Sequence, residues 1–330
     1  MKKMSSRKPT TLETIAMLPS LAHLWLLYKT RRYKELVYVF NRALRNTKQK
    51  RSAFEGYTPT EHDVFVCTYA KSGTYWTMQI ALQIAHYGEA EFENIHDIIP
   101  WPDVFMPTAI TLEDSQPQTQ SPTGLRIIKT HLESEFVPYH PSAKYIVIVR
   151  DPKEAFVSSY FFAKALSPFG PMDFSVEDWI ELFLANQLPY DSWATHAAGF
   201  WSWRQRPNVL YLRFDEMKRD HHGTCKRIAD FMGVKLTEAQ LQKVLDKSSF
   251  QYMKDIDHKF TPSMPMIVKN QADSIMIRRG QSGGADELIS TEQQALIDHF
   301  CQAELGRLGS DLPYTEMFKL AVPEPALLAH

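Results

Sequence analysis

Lys71, Ser72, Gly73 and Thr74 follow directly on an apolar run at 64–69. A strand that enters a tight turn and then a helix leaves unpaired N–H groups and partial positive charge at the helix start, and these hold phosphate. Gly73 lets the backbone approach such an anion closely. Lys71 adds a full charge at the turn. Here Lys precedes Gly, whereas ATP and GTP loops carry Gly-Lys followed by Ser or Thr.

A second run, 125–130, ends in Lys129-Thr130-His131. Side chains alternate along a strand, so Lys129 and His131 share one face. A neutral imidazole is a suitable general base for a hydroxyl, and a nearby ammonium favours its neutral form. A third run, 144–149, ends in Arg150-Asp151-Pro152. Asp151 suits an N-cap and Pro152 the first helical position. Arg150 is then a cation at a strand end beside a starting helix, with the Ser158 hydroxyl in that helix available to the same anion. Arg278-Arg279-Gly280 supplies two further cations whose planar forks suit phosphate.

The elements that must position these groups are legible in outline. Runs at 64–69, 125–130, 144–149 and 209–214 are apolar on both faces, as in a parallel sheet covered on both sides. Helices are expected at 74–86, 152–164, 176–186, 190–206 and 223–232. Two more carry capping-box spacing, Thr237 with Gln240 and Ser290 with Gln293. Residues 115–123 and 263–284 are expected as loops. Three strands thus deliver Lys71, Lys129 with His131, and Arg150 to the carboxyl edge, where open α/β sheets place ligands.

The 330 residues carry a net charge of −1, so nucleic-acid binding by overall charge is not expected and any anion site must come from local placement. The three cysteines, Cys67, Cys225 and Cys301, are widely spaced. They suggest neither a disulfide framework nor a metal site, and they point to a reducing, cytoplasmic setting.

Near the start, Lys2, Lys3, Arg7 and Lys8 precede an apolar stretch at 12–27, but Glu13, Pro19 and His23 interrupt it. It is too short for a membrane span and is expected to be helical. Residues 29–51 carry Lys29, Arg31, Arg32, Lys34, Arg42, Arg45, Lys48, Lys50 and Arg51 against Glu35 alone. With Tyr33, Leu36, Val37, Phe40 and Leu44 at helical spacing, this is either an amphipathic helix with a solvated face or a peripheral membrane contact. The chain divides into a basic helical extension at 1–55, a main domain at 56–310 and a tail at 311–330.

Taken together, the four motif segments resemble the cytosolic-type, PAPS-dependent sulfotransferase family over residues 57–308. PAPS is 3′-phosphoadenosine-5′-phosphosulfate. The resemblance implies a single α/β domain with a central parallel sheet flanked by helices, a P-loop-NTPase-like sulfotransferase fold. It also implies PAPS as donor, PAP as product, no metal, and a small hydroxyl-bearing acceptor. On this resemblance Lys71 stabilises the leaving phosphate oxygen with Ser72, Gly73 and Thr74, Lys129 contacts the sulfuryl group, and His131 takes the acceptor's proton. Arg150, Ser158, Arg278, Arg279 and Gly280 hold the 3′-phosphate. Tyr75 completes the loop, and Trp76, Phe214, Ser249 and Phe250 lie around the adenosine. Trp101, Phe105, Phe136, Phe161, Phe162 and Phe169 fall in segments the family uses around its acceptor, which suggests an apolar or aromatic compound.

The chain departs from the family pattern at several places. Tyr75 stands where a second Thr is frequent, Ala70 where Pro is common, and Phe214 where a Tyr often meets the adenine. After Gly280 the usual Gly-Asp-Trp is missing. The usual dimerisation segment before Arg278 is not recognisable, which leaves the oligomeric state open. Two other readings stand beside the resemblance. A P-loop kinase is opposed by the missing Gly-Lys-Ser/Thr and Walker B aspartate. A non-catalytic nucleotide-binding or membrane-associated protein is suggested by the loop departures and the basic helix, and opposed by the intact Lys71, Lys129 and His131.

Overall fold

The structure, a computed structural model, describes residues 22–104, 109–165, 169–170, 172–261, 276–280 and 283–322. Among the described residues four strands form one parallel sheet: β1 (Asp63–Thr68), β2 (Arg126–Thr130), β3 (Lys144–Val149) and β4 (Val209–Arg213), in the order β2-β1-β3-β4. Each matches an apolar run of the sequence to within a residue at either end. β1 and β2 are buried throughout, which is why their residues do not alternate between apolar and polar.

The register fixes what meets at the carboxyl edge. Cys67 lies opposite Thr130, and Thr68 lies opposite Ile148. The chain leaves β1 toward β2 on one side and leaves β3 toward β4 on the other. The order therefore reverses between β1 and β3, which opens a crevice beyond their carboxyl ends. Val64 and Val66 pack into one apolar cluster with Met78, Ile80 and Ile84 of the Thr74–Ala85 helix. Phe65 and Cys67 pack into a second with Tyr145, Phe200 and Trp203.

Helix boundaries follow local chemistry. The Asp151 carboxylate accepts from the Lys153 N–H at 2.9 Å, capping the Pro152–Ala165 helix as its sequence predicts. Both expected capping boxes are present, at Thr237–Gln240 and Ser290–Gln293. The helix expected at 190–206 is shorter, Trp193–Trp201, because Ser192 caps it by accepting from the Thr195 N–H. That expected at 176–186 closes at Leu184. The loop expected at 115–123 contains a short helix, Gln116–Gln120, in which Pro117 presets the first turn. Most of the loop expected at 263–284 lies outside the described residues.

Both flanking segments pack on this body. Leu36 and Val37 of the Tyr33–Leu44 helix join the cluster containing Phe156 and Trp179, each contributing about 1.5–3 kcal/mol by burial. Lys50 forms a buried ion pair with Glu133 at 2.8 Å, and Lys34 pairs with Glu181 at 2.5 Å. Arg42, Lys48 and Arg51 remain exposed. Residues of the expected tail are also internal: Tyr314 and Phe318 are buried against Trp193, and Tyr314 donates to Asp298 at 2.6 Å. Among the described residues no helix is long and apolar enough to cross a membrane.

Candidate active site

The chain leaves β1 at Thr68 and turns sharply. Lys71 has φ +66° and Gly73 has φ +94°. The lysine conformation is disfavoured for a residue with a Cβ. At Gly73 a Cβ would also fall 2.7 Å from the Phe214 ring, so glycine is required twice over. Gly73 begins the Thr74–Ala85 helix without any side-chain cap, which leaves the first-turn N–H groups open to an anion. The Ser72 hydroxyl is buried with no hydrogen-bond partner, as suits a group that awaits a ligand oxygen. The Thr74 hydroxyl is held by the Thr68 hydroxyl at 2.6 Å.

Arg150 joins the end of β3 to this loop. Its Nη1 donates to the Lys71 carbonyl at 2.9 Å, its Nε donates to Glu154 at 3.0 Å, and its guanidinium lies 4.4 Å over the Phe214 ring. Burial, then the Arg150 charge, lowers the Lys71 ammonium to about 7. The Lys71 Nζ sits 4.1 Å over the Phe162 ring, so the structure puts Phe162 directly against the phosphate loop.

His131 continues β2 past its last paired residue. Its Nδ1 lies 2.8 Å from the Thr68 carbonyl oxygen. A carbonyl only accepts, so Nδ1 carries the hydrogen and Nε2 keeps its lone pair. The Asp103 carboxylate takes the His131 backbone N–H at 2.5 Å, the Thr130 hydroxyl at 2.8 Å and the Trp101 indole N–H at 3.0 Å. The imidazole is held well below the usual histidine range, first by burial and then by the Lys129 charge. The sequence supplies the second cause; the first and larger one needs the fold.

Lys129 is completely buried, with Nζ 3.1 Å from the Tyr75 hydroxyl and 3.2 Å over the Trp101 ring. The hydroxyl of Tyr75, a residue expected to complete the phosphate loop, is committed to Lys129 and to His96, at 3.2 Å. A tyrosine is longer than the threonine frequent at this position, so its oxygen reaches past the phosphate loop.

Among the residues expected around the adenosine, the Trp76 indole donates to the Ser248 carbonyl at 2.9 Å and meets the Phe214 ring edge-on. Ser249 caps the Phe250–Asp255 helix, accepting from Tyr252, so its hydroxyl serves the backbone first. Phe250 is exposed, and its ring lies so close to Gly280 that a Cβ there would come within 2.2 Å. Ser158 lies half-buried about two helical turns beyond Arg150. The Ile277–Gly280 segment is pinned by Lys254 to the Ile277 carbonyl at 2.6 Å and by Lys218 to the Gly280 carbonyl.

Arg278 and Arg279, expected to face a phosphate, both pair with Glu287; the Arg278 contact is 2.5 Å. Glu154 likewise joins Arg150 to the Gly283 N–H. Sequence reasoning missed both carboxylates, as well as Asp103 and the Thr68 carbonyl. Glu154, four residues after Arg150, was findable by helical spacing. The others meet their partners only through tertiary contact. Of the acceptor candidates, Trp101 meets His131 edge-on at 5.5 Å. Phe161 lies under Arg278 at 4.5 Å. Phe136 is near Lys50, 5.3 Å from its ring centre to Nζ, and packs on the same cluster as Trp101. Phe169 packs tilted against Tyr28 at 5.6 Å, and Phe105 lies outside the described residues.

A parallel α/β sheet whose carboxyl edge gathers an uncapped helix start, two lysines, an arginine and a neutral imidazole is built for group transfer on an anionic substrate. The chain belongs to the sulfotransferase family, whose domain model matches residues 61–309, and it is an enzyme of that family. Human sulfotransferase 1C2 is 26% identical over 263 residues, covering 77% of this chain and 86% of that protein. Mouse sulfotransferase SULT7A1, solved in complex with PAP, has a similar fold with TM-score 0.59 and 23% identity over 78% of this chain and 89% of its own. Retinol dehydratase, solved with androsterone and inactive cofactor PAP, superposes with TM-score 0.63 and 21% identity over 82% of this chain and 87% of its own.

Proposed function

We propose that this enzyme transfers a sulfuryl group from PAPS to a hydroxyl of a small, apolar or aromatic acceptor. The observation that carries the reading is the His131 tautomer, with a free Nε2 on the same sheet edge as Lys71, Lys129 and Arg150.

His131 Nε2 takes the proton of the acceptor hydroxyl as that oxygen bonds to sulfur and the bond from sulfur to the 5′-phosphate oxygen breaks. The electron pair stays on the phosphate oxygen, where Lys71 and the open N–H groups of the Thr74 helix balance the charge. Lys129 meets the sulfuryl oxygens. Arg150 and Ser158 serve the 3′-phosphate, with Arg278 and Arg279 exchanging Glu287 for it. Such transfer depends on positioning and charge stabilisation, as phosphoryl transfer does. The buried, partnerless Ser72 hydroxyl and the glycine-lined turn fit a phosphate group.

Trp101 beside His131 and Phe162 beside Lys71 support an aromatic-lined approach for the acceptor. Three buried, free cysteines support a reducing compartment such as the cytoplasm. The test is a panel of phenols, sterols and primary alcohols, androsterone included, incubated with sulfate-labelled PAPS. Labelled product from at least one hydroxyl compound is expected. PAP binding with no transfer across the panel would favour a non-catalytic nucleotide-binding protein.

A further inference from the structure

Four buried groups form a single hydrogen-bonded line behind the proposed sulfuryl site. His96 Nδ1 lies 3.2 Å from the Ile99 carbonyl oxygen. His96 Nε2 lies 3.2 Å from the Tyr75 hydroxyl, and that hydroxyl lies 3.1 Å from Lys129 Nζ. The direction of each bond is determined. The Ile99 carbonyl only accepts, so Nδ1 of His96 carries the hydrogen. Nε2 then has a lone pair and takes the Tyr75 O–H. The Tyr75 oxygen is left to accept from Lys129, whether or not the amine is charged.

The line is also clamped. The His96 ring stacks on Trp101 at 5.4 Å and 24°, while Trp101 lies 3.2 Å beneath Lys129 Nζ. Tyr75 packs edge-on to His96 and tilted against Phe260. His96 is 3% exposed and Lys129 is fully buried, so water competes poorly for these bonds. A lysine has a long, flexible stem and a spherical donor head that does not aim itself. One fixed acceptor removes that freedom.

We propose that Tyr75 and His96 are positioning residues for Lys129: the line from Ile99 through His96 and Tyr75 fixes the amine by one hydrogen bond and leaves its remaining N–H groups for the oxygens of the transferred sulfuryl group. The inference rests on the sulfuryl-transfer reading above and adds to it why this loop carries a tyrosine. A purely structural role for the line would change stability and leave turnover per folded molecule unchanged. A positioning role lowers kcat and leaves nucleotide affinity alone, because groups that hold a reacting partner act in the transition state.

The experiment uses the full chain with Y75F, H96Q and H96F, each measured for kcat, KM, PAP affinity by calorimetry and melting temperature. Y75F keeps the ring and deletes both bonds; its kcat is expected to fall at least about tenfold, the usual loss when a supporting hydrogen bond is removed. Its PAP affinity is expected to stay within about twofold. H96Q, whose amide can still accept from Tyr75, is expected to keep most of kcat, and H96F to lose as much as Y75F. Y75F with wild-type kcat would overturn the inference, as would a fall in kcat matched by an equal fall in PAP affinity. If Y75F fails to fold, equal kcat for H96Q and H96F overturns it. A wild-type chain that binds PAP and transfers no sulfuryl group to any acceptor would overturn the underlying reading instead.

Discussion

The Thr68 carbonyl oxygen lies 2.8 Å from His131 Nδ1, and this one bond decides which imidazole nitrogen is free. Because the acceptor is backbone at the end of β1, no side-chain substitution at Thr68 deletes it. The tautomer is built into the register of two adjacent strands, which sets Cys67 against Thr130 and so brings residue 131 alongside 68.

The first prediction concerns pH. Burial and the Lys129 charge hold His131 below the ordinary histidine range, so the base stays neutral on the acid side of neutrality. The profile of kcat/KM for the acceptor, measured with PAPS saturating, is expected to stay level as pH falls from 7.5 through 6.5. An acid limb centred at or above pH 6.5 would contradict the proposed environment of the base.

Lys71 gives a second. With a pKa near 7, the free enzyme at pH 8 carries this lysine mostly neutral. An anion favours the protonated form and raises the pKa on binding. Binding of PAP at pH 8 should therefore take up close to one proton, while little uptake through Lys71 is expected at pH 6. Affinity should decline as pH rises through 7. Calorimetry in buffers of different ionisation enthalpy measures the uptake, and K71M should abolish it. Equal uptake in K71M and wild type would sink the assignment.

Gly73→Ala puts a Cβ on a residue at φ +94° and 2.7 Å from the Phe214 ring. The backbone strain alone costs about 1–2 kcal/mol. A lower melting temperature and a loss of PAP affinity of about tenfold or more are expected, since the loop must move to relieve the contact. Wild-type affinity in G73A would mean that the turn is not a nucleotide cradle.

One carboxylate, Glu287, pairs with both Arg278 and Arg279, so on the proposed reading it competes with nucleotide for them. E287Q keeps the shape and removes the charge. PAP is expected to bind several-fold more tightly to E287Q, with a steeper loss of affinity in added salt. Weaker binding in E287Q would mean that Glu287 holds the arginines in place for the phosphate.

Much of the site was legible because its cations and imidazole sit at strand ends. Strand ends are marked in sequence by the stop of an apolar run, and a parallel sheet sends them all to one edge. The Asp151–Pro152 helix start was readable for the same local reason. What was not legible depends on contacts between distant segments. Asp103, 28 residues before His131, takes its backbone N–H, and Glu154 reaches the Gly283 N–H, 129 residues further along the chain. Tyr75 read as a defect in the phosphate loop, because nothing local tells that its hydroxyl meets His96 and Lys129. The sequence reading also split off 311–330 as a tail, since its prolines suggest a loose end. Tyr314 finds a buried aspartate on the Thr291–Arg307 helix, and that partner is invisible to composition.

The most direct measurement of the central claim is the paired kinetics and binding of H131A. Turnover with labelled PAPS is expected to fall by about 100-fold or more, the usual share of a general base. The dissociation constant for PAP should stay within about twofold, because the proposed role of the imidazole is toward the acceptor hydroxyl. An H131A chain that still turns over at the wild-type rate, with folding intact, would contradict the account.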